Sequence, residues 1–271
     1  MTKKIGFHFN ENTTEKREIV IPEVIEDEQI ILKSLVEIKF PDVYKPYTYY
    51  NDSFSLKIGD RVFVDGKLEG VMGVVVNITY NFKIKLSDYK RVIGKADTNV
   101  QGEFHFAGSH FIIFDPNALP YSKAETWFKA PEEDEEYESG TDGSTFPLET
   151  LEGLKFDQGD LENGGDIYMD NDVQYIELNG TKGRAIVTTS KPYIVEFTYE
   201  NGEISELYCE CYHVTPCKHC FATLLQLRET LKTIEQNYSE QYTKTNYFAT
   251  VLKTTFFNLV VDSKTTGSIN L

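Results

Sequence analysis

Four residues in the C-terminal third constrain this chain more than any others. Cys209, Cys211, Cys217 and His219 follow one another as Cys-x-Cys, a gap of five residues, then Cys-x-His. The chain holds only four cysteines in 271 residues, and the fourth, Cys220, adjoins the last of these positions. Thiolates and imidazole are soft or borderline donors, and four of them complete a tetrahedral shell for one Zn²⁺. A closed shell leaves no position for water, so such an ion is structural, and its binding free energy goes into folding. His213, inside the gap, and Cys220 are rival donors for the same shell.

The flanking residues predict how the ligands are carried. Residues 193–208 alternate β-branched and aromatic residues on either side of Asn201-Gly202, the signature of two strands joined by a tight turn. The second strand then delivers Cys209 and Cys211. Pro216 suits a first helical position with Thr215 as its cap, and Phe221, Leu224, Leu225, Leu231 and Ile234 fall near helical spacing. Cys217 and His219 are thus expected on the first turn, where the helix dipole favours a thiolate.

This arrangement resembles the SWIM zinc-finger family, whose pattern is Cys-x-Cys, a variable gap, then Cys-x-His. The likeness extends upstream through Gly165-Asp-Ile-Tyr168, Val173, Ile176, Ala185-Ile-Val187, Ser190 and Tyr193-Ile-Val195, which follow the family's short strands. Downstream, Cys217-Lys-His219, Ala222 and Leu224-Leu225 look like its helix. It covers residues ~150–232 of the chain. It implies a zinc ion held by Cys209, Cys211, Cys217 and His219, with Cys220 packing beneath the helix. Family members occur in Swi/Snf-type helicases, transposase-like proteins and recombination accessory factors, where the domain binds DNA or protein.

Three other readings of the cysteines compete, the plainest being a set of buried free cysteines without metal, packing as small hydrophobes. Pro216-Cys-Lys-His-Cys220 contains the second half of a zinc-deaminase signature, but no His-x-Glu precedes it to supply the remaining ligand and the proton shuttle. Cys217-x-x-Cys220 at a helix start also fits a thiol oxidoreductase. Against that, a hairpin precedes it where a βαβ unit would be needed.

Net charge is −16, which would count against a nucleic-acid partner were it spread evenly. It is not. Residues 1–130 carry 17 Lys and Arg against 18 Asp and Glu, residues 131–172 carry 1 against 15, and residues 173–271 carry 9 against 10. The acidic stretch reads as a solvated, self-repelling linker. A sharper alternative makes it an internal mimic of phosphate lying over a basic surface.

In the N-terminal part, strands are predicted at residues 17–22, 34–40, 56–64, 70–78, 81–86 and 103–114, joined by turns such as Asp65-Gly66. Many short strands with tight turns predict a small β-barrel. Phe40 to Ile78, with Tyr47-Thr-Tyr-Tyr50 ahead of Lys57-Ile-Gly-Asp-Arg-Val62, is similar to the N-terminal DNA-end-binding barrel of primosomal helicases. Next to it Tyr80 and Tyr89 interleave with Lys83, Lys85, Lys90, Arg91 and Lys95, rings and cations suited to single-stranded nucleic acid. The plainer alternative is a half-buried strand, Phe82 and Ile84 inward, with a solvated lysine face.

Enzyme signatures are few. Gly180-Thr-Lys-Gly-Arg184 lacks the order of a phosphate-binding loop. Ser109 and His110 are strand neighbours, expected on opposite faces. Asp157, Asp160, Glu162 and Asp166 have the composition of a calcium loop without its spacing. No leader precedes the polar start and no apolar run reaches membrane-spanning length, so the expectation is a soluble, cytoplasmic protein that uses no membrane and no small-molecule substrate.

The predicted organisation is α+β and non-enzymatic: an all-β, barrel-like domain over residues 1–130, an acidic linker over 131–149, a SWIM-like zinc domain over 150–235 and a helical extension over 236–271. Its expected cofactor is one structural zinc ion. The expected partner is DNA, a helicase or a recombination factor; a purely protein-binding adaptor is the alternative.

Overall fold

A computed structural model describes residues 31–131, 140, 143–153, 156–211, 216–261 and 269–270, all within one unit of the chain, Ile31–Leu271. The strand predicted at residues 17–22, residues 132–139 and 141–142 of the acidic stretch, His213 and the predicted cap Thr215 lie outside the described residues.

The first sheet is built from β1 (Ser34–Lys39), β2 (Tyr47–Asn51), β3 (Arg61–Val64), β4 (Gly73–Thr79) and β5 (Val92–Lys95), in the order β2-β1-β4-β3-β5. In β1 burial alternates strictly, Ser34, Val36 and Ile38 inward, the period-two pattern of a half-buried strand. Val36 and Ile38 join Phe40, Val62, Val64, Val75 and Val92 in one apolar core. Gly73 is required there, because a Cβ would stand 2.3 Å from Ile38 Cγ2.

The predicted small barrel is an antiparallel sheet that does not close. Among the described residues its edge strands are joined by one bridge, Tyr50 to Arg91, with the Tyr50 amide donating to the Lys90 carbonyl at 2.9 Å. The gap has a local cause: residues 81–86, expected as a strand, form an extended coil ending in a 3₁₀ turn at Leu86–Asp88 and add no ladder.

The second sheet has eight strands. It comprises β7 (His105–Ala107), which follows the two-residue β6 (Gly102–Glu103), then β8 (His110–Ile113), β9 (Phe146–Pro147), β10 (Val173–Asn179), β11 (Lys182–Thr188), β12 (Pro192–Glu200), β13 (Glu203–Cys209) and β14 (Tyr247–Leu252). Their order is β7-β8-β14-β10-β11-β12-β13-β9, antiparallel throughout. The sheet therefore takes strands from both sides of the acidic stretch.

The predicted helical extension over 236–271 is corrected at this sheet. A short helix, Ser239–Thr245, does form, but Asn246 stops it in the left-handed region (φ 51°) and the chain turns into β14, inserted between β8 and β10. Tyr-Phe-Ala-Thr-Val-Leu is buried at all six positions, which a central strand covered on both faces demands. An apolar run that short does not distinguish strand from helix by periodicity.

Adjacent residues of the central strands serve opposite cores. Ile176, Val187 and Val195 face a 20-residue helix, Lys218–Asn237, through its Leu224, Leu227 and Ile234. Tyr175, Ile186 and Ile194 face the other way, toward Trp127 and Phe256. Each fully buried aliphatic side chain of that helix contributes on the order of 1.5–3 kcal/mol. A second helix, Gln158–Met169, lies against the start of the first, and Gly164 permits the approach: a Cβ there would stand 2.7 Å from the Lys218 carbonyl oxygen. The segment 165–168, expected among the short strands, belongs to this helix.

Candidate metal centre

The hairpin of β12 and β13 has the predicted tip. Asn201 and Gly202 both have positive φ, 52° and 84°, as a type I′ turn requires. β13 ends at Cys209, and Cys211 follows it out of the sheet. Across the gap the long helix begins at Lys218, two residues later than predicted, with Cys217 in extended conformation at its cap position. The cap comes from elsewhere: the Lys218 amide donates to Asp160 Oδ1 at 3.1 Å. Asp160 and its neighbour Asp157, which caps its own helix through the Asp160 amide at 2.8 Å, are thus helix caps and not a calcium loop.

The hairpin end and the helix start bring Cys209, Cys211, Cys217 and His219 together, with one ligand atom from each lying within 4.8 Å of all the others. Sγ of Cys211 and Cys217 are 3.4 Å apart, and Nδ1 of His219 is 3.8 Å from Sγ of both Cys209 and Cys217. A tetrahedron with metal–sulfur bonds of about 2.3 Å has sulfur–sulfur edges of about 3.8 Å and slightly shorter sulfur–nitrogen edges. The cluster matches those edges closely enough to hold one metal ion. All four residues are buried, which removes water as a competing ligand.

The imidazole is held from outside the cluster. Its Nε2 lies 3.4 Å from Thr189 Oγ1, and its ring stacks on Tyr193 with centroids 4.3 Å apart. With Nδ1 turned to the sulfurs, the proton belongs on Nε2, donated to Thr189, the usual device for orienting a ligating histidine. Hydrogen bonds from Cys209 and Cys220 hold the Cys217 thiol below its ordinary range, while Cys209 is pushed up by its bond to Cys217 and by burial.

Glu210, between the two hairpin cysteines, is also tied down. Its Oε2 accepts from the Ile194 amide at 3.2 Å and pairs with the Lys129 ammonium at 3.1 Å. Neither Thr189 nor Lys129 carries any local signal in the sequence; they lie 30 and 81 residues from their partners. Tyr193 was legible only as a strand residue.

The other sequence-predicted site is less concentrated. Tyr80, Lys83, Lys85 and Lys90 are exposed, whereas Phe82, Ile84 and Tyr89 are half-buried, so the expected alternation survives without a ladder. Arg91 is engaged by Asp52 at 2.6 Å and lies over the Tyr50 ring, and Lys95 pairs with Asp60 at 2.8 Å. Two of the five cations are thus matched by carboxylates.

Ser109 and His110, expected on opposite faces, meet. Ser109 sits in the turn after Gly108 (φ 53°), where strand alternation does not hold, and its Oγ lies 3.0 Å from His110 Nδ1. The same hydroxyl donates to Asn171 Oδ1 at 2.5 Å, and His110 Nε2 lies 2.9 Å from the Val173 carbonyl oxygen. This is a satisfied core histidine. Burial lowers its pKa.

Among the described residues no helix is long and apolar enough to cross a membrane. No protein-family model, curated protein or solved structure matches this chain.

Proposed function

We propose that Cys209, Cys211, Cys217 and His219 hold one zinc ion as a structural staple, and that the chain is a non-enzymatic, SWIM-like accessory protein. It would contact nucleic acid, or a motor or recombination protein acting on DNA. The observation that carries this reading is the buried Cys₃His cluster at the junction of hairpin and helix. Three sulfurs and an imidazole favour zinc over the hard cations, which take oxygen ligands. A filled four-ligand shell gives the ion no open position, so what it supplies is folding free energy, on the order of 10 kcal/mol. The order of hairpin, Cys-x-Cys and then Cys-x-His at a helix start agrees with the SWIM pattern, and the helix over 165–168 departs from it.

The nucleic-acid face in this reading is the exposed run of Tyr80, Lys83, Lys85 and Lys90, with Tyr89, Arg91 and Lys95 beside it. A purely protein-binding adaptor is the second reading. It is favoured by the acidic stretch, which would repel nucleic acid, and by the carboxylates already paired with Arg91 and Lys95. Catalytic thiol exchange through Cys217 and Cys220 is disfavoured because both are 0% exposed, which closes them to a disulfide substrate, a group far larger than water or a peroxide.

Elemental analysis and DNA titration at several salt concentrations test these readings together. The expected result is one zinc per chain and an affinity that falls steeply with salt, since phosphate contacts release counterions. Absence of binding in low salt, with residues 131–143 deleted, removes the nucleic-acid reading and leaves the adaptor.

A further inference from the structure

The cluster contains one sulfur more than a tetrahedral ion needs. Cys220 is fully buried, and its Sγ lies 3.7 Å from that of Cys217. The two residues stand at the cap and third positions of the helix start, spaced as Cys-x-x-Cys. Cys209, Cys211 and Cys217 are each committed to the metal in the reading above; Cys220 is not.

We propose that Cys217 and Cys220 form an oxidative modification site, in which a disulfide between them releases the zinc ion and uncouples the hairpin from the helix. This rests on the zinc reading of the cluster. The oxidant is a two-electron one of the peroxide class. The Cys217 sulfur attacks one peroxide oxygen, the O–O bond breaks, and hydroxide leaves to be protonated to water, so that Cys217 becomes a sulfenic acid. The Cys220 thiol attacks that sulfur; the S–O bond breaks, the departing oxygen takes the thiol proton and leaves as water, and the S–S bond forms. Two thiols and one hydrogen peroxide thus give one disulfide and two waters. The zinc ion keeps its charge and loses an anionic donor.

The geometry gives Cys220 the part of the resolving thiol. Cys211 is closer to Cys217, at 3.4 Å against 3.7 Å, but in the zinc reading its sulfur would be taken up as a ligand. Cys220 needs no ligand to detach before it attacks, and its position on the same helical turn keeps it within reach while the cage opens. The consequence extends through the anchoring residues. With Cys217 withdrawn from the cage, His219 keeps Thr189, Tyr193 and the Cys209 sulfur at 3.8 Å, and the end of β13 is joined to the helix by apolar packing in place of a four-ligand cage.

The test uses the full-length, zinc-loaded chain with hydrogen peroxide. Free zinc is followed with a chromogenic chelator, and disulfides are mapped by mass spectrometry of unreduced peptides. The expected result is a Cys217–Cys220 disulfide formed in step with zinc release, both reversed by dithiothreitol with zinc present. Cys220→Ala keeps the zinc ion and releases it about tenfold more slowly, because the sulfenic acid has no free thiol beside it. Zinc-loaded protein whose mapped disulfide joins Cys211 to Cys209 or Cys217, or a Cys220→Ala variant that loses zinc at the unmodified rate, overturns the proposal and leaves the metal site standing. If Cys220→Ala does not fold, the disulfide map of the unmodified chain decides the matter alone. A chain purified without zinc, and unable to take it up, removes both the metal reading and this one.

Discussion

The five-stranded sheet of residues 34–95 is held by apolar packing among Val36, Ile38, Phe40, Val62 and Val75, whereas the hairpin and helix around Cys209 and His219 add four ligand atoms to such a core. The first arrangement tolerates gradual change, since each side chain contributes a little. The second concentrates a large share of its stability in one small volume, where a single lost donor is felt by every element it joins. Metal chelation should therefore separate the two regions, and so should mutation.

The largest effect is expected from Cys209→Ser or from removing the metal. On the order of 10 kcal/mol of folding free energy is lost from the hairpin and helix. Hydrogen exchange followed by mass spectrometry should show faster exchange over residues 203–237 and unchanged protection over residues 34–95. Equal loss in both regions would break the contrast.

Next come two glycines, one from each sheet. In Gly183→Ala the new Cβ would stand 2.1 Å from Phe197 Cε2, and in Gly73→Ala 2.3 Å from Ile38 Cγ2. Each costs about 1–3 kcal/mol through overpacking. The single tryptophan, Trp127, is buried against the eight-stranded sheet and reports on it by fluorescence. Gly183→Ala is expected to lower the denaturant midpoint seen by Trp127, and Gly73→Ala to leave it in place. Identical shifts would mean that the two sheets unfold as one.

A smaller effect belongs to Thr189→Ala, which leaves His219 free to turn. Zinc affinity, measured by competition with a chelator, should fall about 10- to 100-fold, the usual consequence of losing the partner of a ligating histidine. Replacement by Ser should restore most of it. The smallest effect depends on pH. Burial holds the pKa of His110 below its unfolded value, so the unfolded chain takes up the proton first as pH falls. The stability involved is complete above about pH 6.5 and is lost below it. Trp127 melts at saturating zinc should show a decline between pH 7 and pH 5.5, flattened in His110→Gln. The five-stranded sheet contains no histidine and should not share it.

Much of the site was legible because its parts are close together along the chain. The Asn201-Gly202 turn, the strand into Cys209 and the helix carrying Phe221 to Ile234 were all predictable from local pattern, and the four ligands span only eleven positions. Local pattern misled where a partner lay far off. Asp160 looked like a failed calcium ligand until its position beside Lys218 made it a helix cap, and residues 81–86 had the alternation of a strand but no neighbour with which to form a ladder. The sequence by itself determined that three thiols and an imidazole would converge, since short-range geometry leaves them little else to do. Only the tertiary structure decided that β14 enters the middle of a sheet, that Thr189 and Tyr193 orient His219, and that Lys129 reaches Glu210. Those contacts join residues tens of positions apart, and their free energy appears only once the chain between them has been ordered.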